Sequence, residues 1–311
     1  MQQITVRVPA STSNLGPGFD CLGVALRLYN RIAVIKDTLR PQVHPQIISQ
    51  AAELFFKQAR RRAFLFSCSI AGEIPQSRGL GSSATIRLGV LHALNRFSGN
   101  PLDRLMIFQL CAELEGHPDN AASASFGGFT VAQGSASVSL APRKLATASP
   151  SGGGRKTCPA FQRFEVSQRL YFILVIPELK IKTSRARRIL PSKISHSAAV
   201  ENCTNACAIT AAFASRNYER LRGAFTDFIH QPFRAKLVPF LPGAITAAEK
   251  AGALGAFLSG SGSAICAVTL QDPNRIAAAM ERAAMPAVCR VIITTADNRG
   301  ARLRESRTDI H

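Results

Sequence analysis

The sequence predicts an α+β chain organised as two domains. Three observations lead there. Alternating apolar runs and helical apolar periods are mixed along the chain without strict strand–helix alternation. The 311 residues are enough for two cores. A stretch over 142–160, rich in Ser, Gly, Pro and basic residues and centred on Gly152, Gly153 and Gly154, reads as a linker or long hairpin loop. It sets the expected domains at 1–160 and 161–311.

The elements follow in order. Residues 3–9 and 31–36 read as strands, and Ser11 to Gly18 between them as a polar, glycine-rich loop. A helix is expected over 46–60 and a strand over 63–74. Ile86, Leu88, Val90, Leu91, Leu94 and Phe97 recur near helical spacing and predict a helix over 85–97. Another helix should run from Leu102 to Leu114. A turn over 116–120 then leads through small residues to a strand at 127–131. In the second half, 170–176 is an apolar strand. Helices are expected over 196–214, 217–229 and 242–251. A strand comes next, and a Gly-Ser turn at Ser259–Ser263 then leads to a strand over 264–269, a helix over 273–284 and a last strand over 288–294.

Composition narrows the function. With 46% hydrophobic and 18% charged residues, wholesale disorder is excluded. No apolar run spans a bilayer, and the N-terminus alternates like a strand instead of resembling a signal peptide, so no membrane partner is expected. The eight cysteines form no Cys-x-x-Cys pair, which argues against a zinc ribbon or a redox dithiol. Cys203 and Cys207 share a helix face and read as buried packing thiols. This usage fits a reducing cytoplasm. A net charge of +19 favours anionic partners. With no Trp and three Tyr there is no stacking platform. Most of the arginines therefore read as solvated surface, and nucleic acid is disfavoured.

Three glycine-rich segments carry the chemistry. The first runs through Pro75, Gln76, Ser77, Arg78, Gly79, Leu80, Gly81, Ser82, Ser83 and Ala84, at the head of a predicted helix. Unpaired N–H groups and the positive end of the macrodipole make such a place a phosphate site, and glycines let the backbone come close. A plain helix cap by Ser82 or Ser83 is the competing reading. There is no Gly-Lys-Ser/Thr Walker loop and no third glycine of a dinucleotide fingerprint. The second segment, Pro9 to Asp20, holds Asn14 and Asp20 around a tight turn. The third, Leu258 to Ser263, offers a second glycine-rich wall through Gly260, Ser261 and Gly262.

Together, with the second segment before the first along the chain and Glu115 to Asn120 between the first and third, these segments resemble the GHMP kinase superfamily over nearly the whole chain. Two further stretches, Ile181 to Pro191 and His230 to Pro239, are similar to the homoserine kinases within it. The resemblance implies an N-terminal domain like ribosomal protein S5 domain 2, a ferredoxin-like C-terminal domain, and a cleft between them. It implies ATP-dependent phosphorylation of the L-homoserine side-chain hydroxyl, a step toward threonine. Arg187 and Arg234 match carboxylate-binding positions, and Asp20 the ammonium position. Asn14, His117, Asn120 and Thr183 match the remaining substrate positions. Asn120, Asp20 and Arg187 would serve catalysis, with no certain general base. Ser83 would help ligate Mg²⁺ together with either Glu113 or Glu115. A homodimer is compatible with this reading.

The chain departs from the family pattern at Asp37 to His44, near the expected adenine site. It also departs at Ser263, where proline is frequent, and at Arg87, where small residues are common. Three rival readings remain. They are another small-alcohol kinase of the superfamily, a basic nucleic-acid-binding protein on an S5-like fold, and an inactive kinase.

Overall fold

The computed structural model describes residues 2–36, 42–133 and 161–304. The first half of the chain forms β1 (Gln3–Ser13), β2 (Leu22–Lys36), α1 (Gln46–Ala59), β3 (Phe66–Gly72), α2 (Ser82–Phe97), α3 (Arg104–Glu115), α4 (Asp119–Phe126) and β4 (Phe129–Ala132). The second half forms β5 (Phe161–Phe164), β6 (Tyr171–Pro177), α5 (Thr183–Arg188), α6 (His196–Ser215), α7 (Gln231–Arg234), α8 (Leu241–Lys250), β7 (Gly255–Leu258), β8 (Ile265–Thr269), α9 (Pro273–Ala284), β9 (Cys289–Thr295) and β10 (Arg302–Arg304).

Two antiparallel sheets result. The first runs β10-β1-β2-β4-β5, with β3 also paired to β2. Val6 and Val8 of β1 and Ile32 and Val34 of β2 bury one face against α1 and α2, in a cluster with Phe55, Leu88 and Leu91. The second sheet runs β7-β8-β6-β9. Its chain order is strand, helix, two strands, helix, strand, which is the ferredoxin-like unit. The central strand β6 is apolar on both faces because both are covered. Ile173 and Val175 pack under α8 and α9, while Phe172, Leu174 and Ile176 point the other way. There they meet Leu22, Val24 and Leu26 of the first sheet and Phe213 of α6. This shared cluster fixes the two sheets against each other.

Several expectations change. The Ser11–Gly18 loop is shorter than expected, since β1 continues through Ser13 and β2 begins at Leu22. Buried hydrogen bonds hold those polar residues in strand form: Thr12 Oγ1 meets Ser259 Oγ at 2.8 Å, and Ser11 Oγ donates to Asn120 at 2.7 Å. Residues 119–126 form a helix where only a turn and a run of small residues were expected. The small residues of α4 are buried on every side, so no amphipathic period marks them. The helix expected over 217–229 is only a 3-10 turn at Tyr218–Leu221. Gly223, at φ 77°, breaks it. Asp227 then takes the backbone N–H groups of Ile229, His230 and Gln231, which caps α7. Cys203 and Cys207 are exposed on α6, not buried.

The boundary expected at residue 160 lies outside the described residues, as does the linker over 142–160. Strands beyond it, β5 and β10, complete the first sheet.

Candidate active site

A cavity of about 480 Å³ lies where the first half of the chain meets α5, α7 and the Ser259–Ser263 turn of the second half. One wall is the turn leading into α2. Gly79 and Gly81 sit at φ 76° and 67°, where side chains are strained. Packing also demands them. A Cβ on Gly79 would overlap the carbonyl of Ser259, and one on Gly81 would overlap the Ser11 hydroxyl. The turn is stapled to the second sheet: Ser259 Oγ donates to Gly79 O at 2.7 Å, and Ala264 N to Arg78 O at 3.0 Å. Arg78 Nε donates to Pro177 O at 2.8 Å. No side chain caps α2. Ser82 and Ser83 of its first turn line the cavity, and among the described residues no side chain accepts from their amides, an arrangement that suits an anion.

The seven residues Ser77 to Ser83 line the cavity, and so does Ser261. Pro75, Ala84, Gly260 and Gly262 do not. Gly260 and Gly262 instead lie behind the turn, where Gly260 N donates to Ser13 O at 3.1 Å.

The opposite wall is built from side chains. Arg187, on α5, grips Asp20 through two hydrogen bonds of 2.6 and 2.9 Å. Arg234, on α7, is 2% exposed. It donates to Ala186 O at 3.2 Å and to Gly260 O at 2.9 Å. Burial, then the nearby Arg187 charge, lowers its pKa to about 10, so it stays charged at neutral pH. Both guanidinium groups lie over the Phe19 ring, at 5.5 and 5.2 Å from its centroid.

His230 backs this wall, fully buried. Its Nδ1 faces Arg234 Nη1 at 3.3 Å and its Nε2 faces Gly16 O at 2.8 Å. An arginine can only donate, so the ring proton sits on Nε2. Burial pushes the His230 pKa down to about 4, which agrees with a neutral ring.

His117 and Asn120 sit at the head of α4. His117 Nδ1 meets Asp119 Oδ1 at 2.6 Å. Burial opposes the charged ring, but the hydrogen bond and charge of Asp119 outweigh it and raise the His117 pKa. Burial likewise opposes ionised Asp119, and the His117 bond outweighs it there too, so Asp119 is lowered. Asn120 accepts from Ser11 and donates to Ser13 at 3.0 Å. Asn14 donates to Gly260 O at 3.0 Å and accepts from Asp20 N at 3.1 Å. Thr183 starts α5, 3.5 Å from Ser261. All seven expected substrate residues thus line the cavity. The two asparagines use their amides largely on the scaffold.

Of the two metal candidates, Glu115 lines the cavity and accepts from Ser83 Oγ at 2.7 Å. Glu113 is exposed and outside it. Two residues on a helix are about 200° apart, so one face cannot hold both. A hydroxyl and a carboxylate beside an uncapped helix N-terminus are hard oxygen donors that suit Mg²⁺. Asp20, His117 and Asp119 also converge within 4.8 Å. Their atoms are already engaged, with Asp20 by Arg187 and Asp119 by His117 and Asn120.

Other lining residues escaped the sequence reading. Pro45, Ile47, Ile48, Ile70 and Ile86 form an apolar end. Apolar residues on separate elements carry no local signature. Phe19 and Asp119 lie inside the quoted motifs, and their aromatic and acidic character was the available signal.

The chain matches "GHMP kinases N terminal domain" over residues 46–128 and "GHMP kinases C terminal" over 209–287. It is 37% identical over 285 residues to a homoserine kinase of Caldicellulosiruptor bescii, covering 87% of this chain and 85% of that one. It is 35% identical to a homoserine kinase of Clostridium beijerinckii, with 88% of both chains covered. A crystal structure of homoserine kinase from Cytophaga hutchinsonii superposes with a TM-score of 0.82 at 23% identity, over 98% of each chain. The two-domain kinase fold is thereby shared, and the chain belongs to the homoserine kinase family of the GHMP kinases.

Proposed function

We propose that this protein transfers the γ-phosphoryl group of ATP to the side-chain hydroxyl of L-homoserine, giving O-phospho-L-homoserine. One observation carries the reading. A single cavity has an uncapped helix N-terminus on one wall and two arginines with a carboxylate on the other. The first wall suits a triphosphate, and the second suits an amino-acid zwitterion. The identity to curated homoserine kinases favours this acceptor over other small alcohols and over a nucleic-acid-binding role.

The residues divide the work. Amides of Gly79 to Ser83 hold the phosphates. The apolar end at Pro45, Ile48 and Ile70 takes the adenine ring. Homoserine enters by parting Asp20 from Arg187: its ammonium takes Asp20, and its carboxylate takes Arg187 and Arg234. One ion pair becomes two, which disfavours acceptors lacking either charge. Mg²⁺, held by Ser83 and Glu115, would neutralise charge on the phosphates. Asp119 raises the pKa of His117, so the ring, when protonated, would add positive charge near the reacting groups. With Asp20 bound to the ammonium, catalysis rests on proximity and fixed dipoles and not on a dedicated base.

The described cysteines are all free, which supports a cytoplasmic setting. Among the described residues, no helix is long and apolar enough to cross a membrane.

An ADP-release assay with L-homoserine, mevalonate and pantoate tests the function. Release should depend on homoserine. Release driven by mevalonate or pantoate instead, or no acceptor-dependent release, contradicts it.

A further inference from the structure

Arg87 stands on α2 one turn beyond Ser83, so the two share a helix face. Glu115, the last residue of α3, meets both. Ser83 Oγ donates to its Oε2, and Arg87 Nη1 forms a close ion pair with its Oε1. The pair is well shielded, with side chains 14% and 6% exposed. Glu115 also sits at the negative end of its own helix, whose last turn has no basic residue. The charge it needs comes from the neighbouring helix instead. Arg87 Nε is buried with no hydrogen-bond partner among the described residues. Glu115 lines the cavity and Arg87 does not, so the guanidinium lies behind the carboxylate.

We propose that Arg87 is a resident counter-cation for Glu115: it neutralises and orients the carboxylate in the nucleotide-free protein, and so makes Glu115 a weak holder of divalent metal. The inference rests on the kinase reading only in naming the ion as the nucleotide's metal. A carboxylate already paired with one cation attracts a second less strongly. A bare Ser83–Glu115 site would draw Mg²⁺ without nucleotide. With Arg87 present, the ion is held when the phosphates supply the remaining ligands. Arg87 is thus a positioning residue that ties metal occupancy to nucleotide occupancy.

Thermal unfolding without nucleotide or substrate tests this. Wild-type protein should melt at the same temperature in EDTA and in about 10 mM MgCl₂ at matched ionic strength. Arg87→Met should melt lower in EDTA and recover several degrees in Mg²⁺, because the ion replaces the lost charge. Arg87→Lys should behave as wild type, and the Arg87→Met, Glu115→Gln double variant should lose the metal response. An Arg87→Met protein indifferent to Mg²⁺, or a wild type that gains as much, overturns the proposal. If Arg87→Met does not fold, Mn²⁺ titration of the wild type by electron paramagnetic resonance decides. Binding weaker than on the order of 0.1 mM agrees, and tighter binding contradicts. None of these readouts uses ATP or homoserine. Their failure leaves the kinase reading standing, and failure of the acceptor assay leaves them standing.

Discussion

The two walls of the cavity are made by different means. The wall proposed for the phosphates is backbone: Gly79 and Gly81 in left-handed conformations, an uncapped helix, and a second glycine turn packed behind. The opposite wall is side chain: Arg187 reaches Asp20 across 167 residues of sequence, and Arg234 is held by carbonyls from two other segments. Such a site tolerates almost no change at its glycines: both hold a positive φ, a Cβ on Gly79 meets the Ser259 backbone, and one on Gly81 meets the buried Ser11 hydroxyl. Side-chain sites depend on charge, and their loss should be selective for one ligand.

Substitutions can break this contrast. The largest effect is expected for Gly79→Ala. The new Cβ overlaps the Ser259 carbonyl at a positive φ. Displacing the turn should lower kcat/KM for ATP about 100-fold or more. Near-normal ATP kinetics would show that the amides do not form the phosphate site.

Next is Arg234→Met. Removing a buried guanidinium should cut kcat/KM for homoserine about 100-fold, in line with losing about 2–3 kcal/mol of charge-assisted bonding. The KM for ATP should move much less. An equal rise in both would mean the walls are coupled through Gly260, which Arg234 contacts.

Asp20→Asn sharpens the assignment of the carboxylate. An ammonium-binding role raises the homoserine KM about 10-fold with little change in kcat. A collapse of kcat at constant KM would make Asp20 the base instead.

The smallest effect concerns the pH dependence of stability at the His117–Asp119 pair. The folded pKa of His117 is raised, so its contribution is full below the unfolded value of about 6.5 and fades as pH rises through the folded value. The folded pKa of Asp119 is lowered, so its contribution holds above about 3.9 and is lost as pH falls through the folded value. His117→Asn should flatten the alkaline side of the melting-temperature profile by the worth of one charge-assisted hydrogen bond, about 2 kcal/mol. An unchanged profile would show that the pair contributes nothing to the fold.

The contrast also explains what sequence reading could reach. The Gly79–Ser83 turn was legible because its residues are contiguous and their conformations demand glycine. The apolar face of α2 was legible from its period. Asp20 stood out beside Asn14 in its own segment, but Arg187 and Arg234 were reachable only through family resemblance, since no local rule brings residues so distant together. The Asp20–Arg187 pairing itself was not foreseen, because each residue was assigned to the substrate alone. The Asp37–His44 departure was noted near an expected adenine site, without naming the apolar residues Pro45, Ile47, Ile48 and Ile70 that line the cavity. The helix expected over 217–229 failed because Asp227 binds backbone amides locally, a competition that periodicity does not register.

A crystal structure with a non-hydrolysable ATP analogue and L-homoserine addresses the division of the cavity most directly. The account predicts phosphate oxygens on the amides of Gly79 to Ser83, Asp20 parted from Arg187, and the amino-acid carboxylate on Arg187 and Arg234. Triphosphate bound elsewhere, or an Asp20–Arg187 pair still closed with homoserine present, would contradict it.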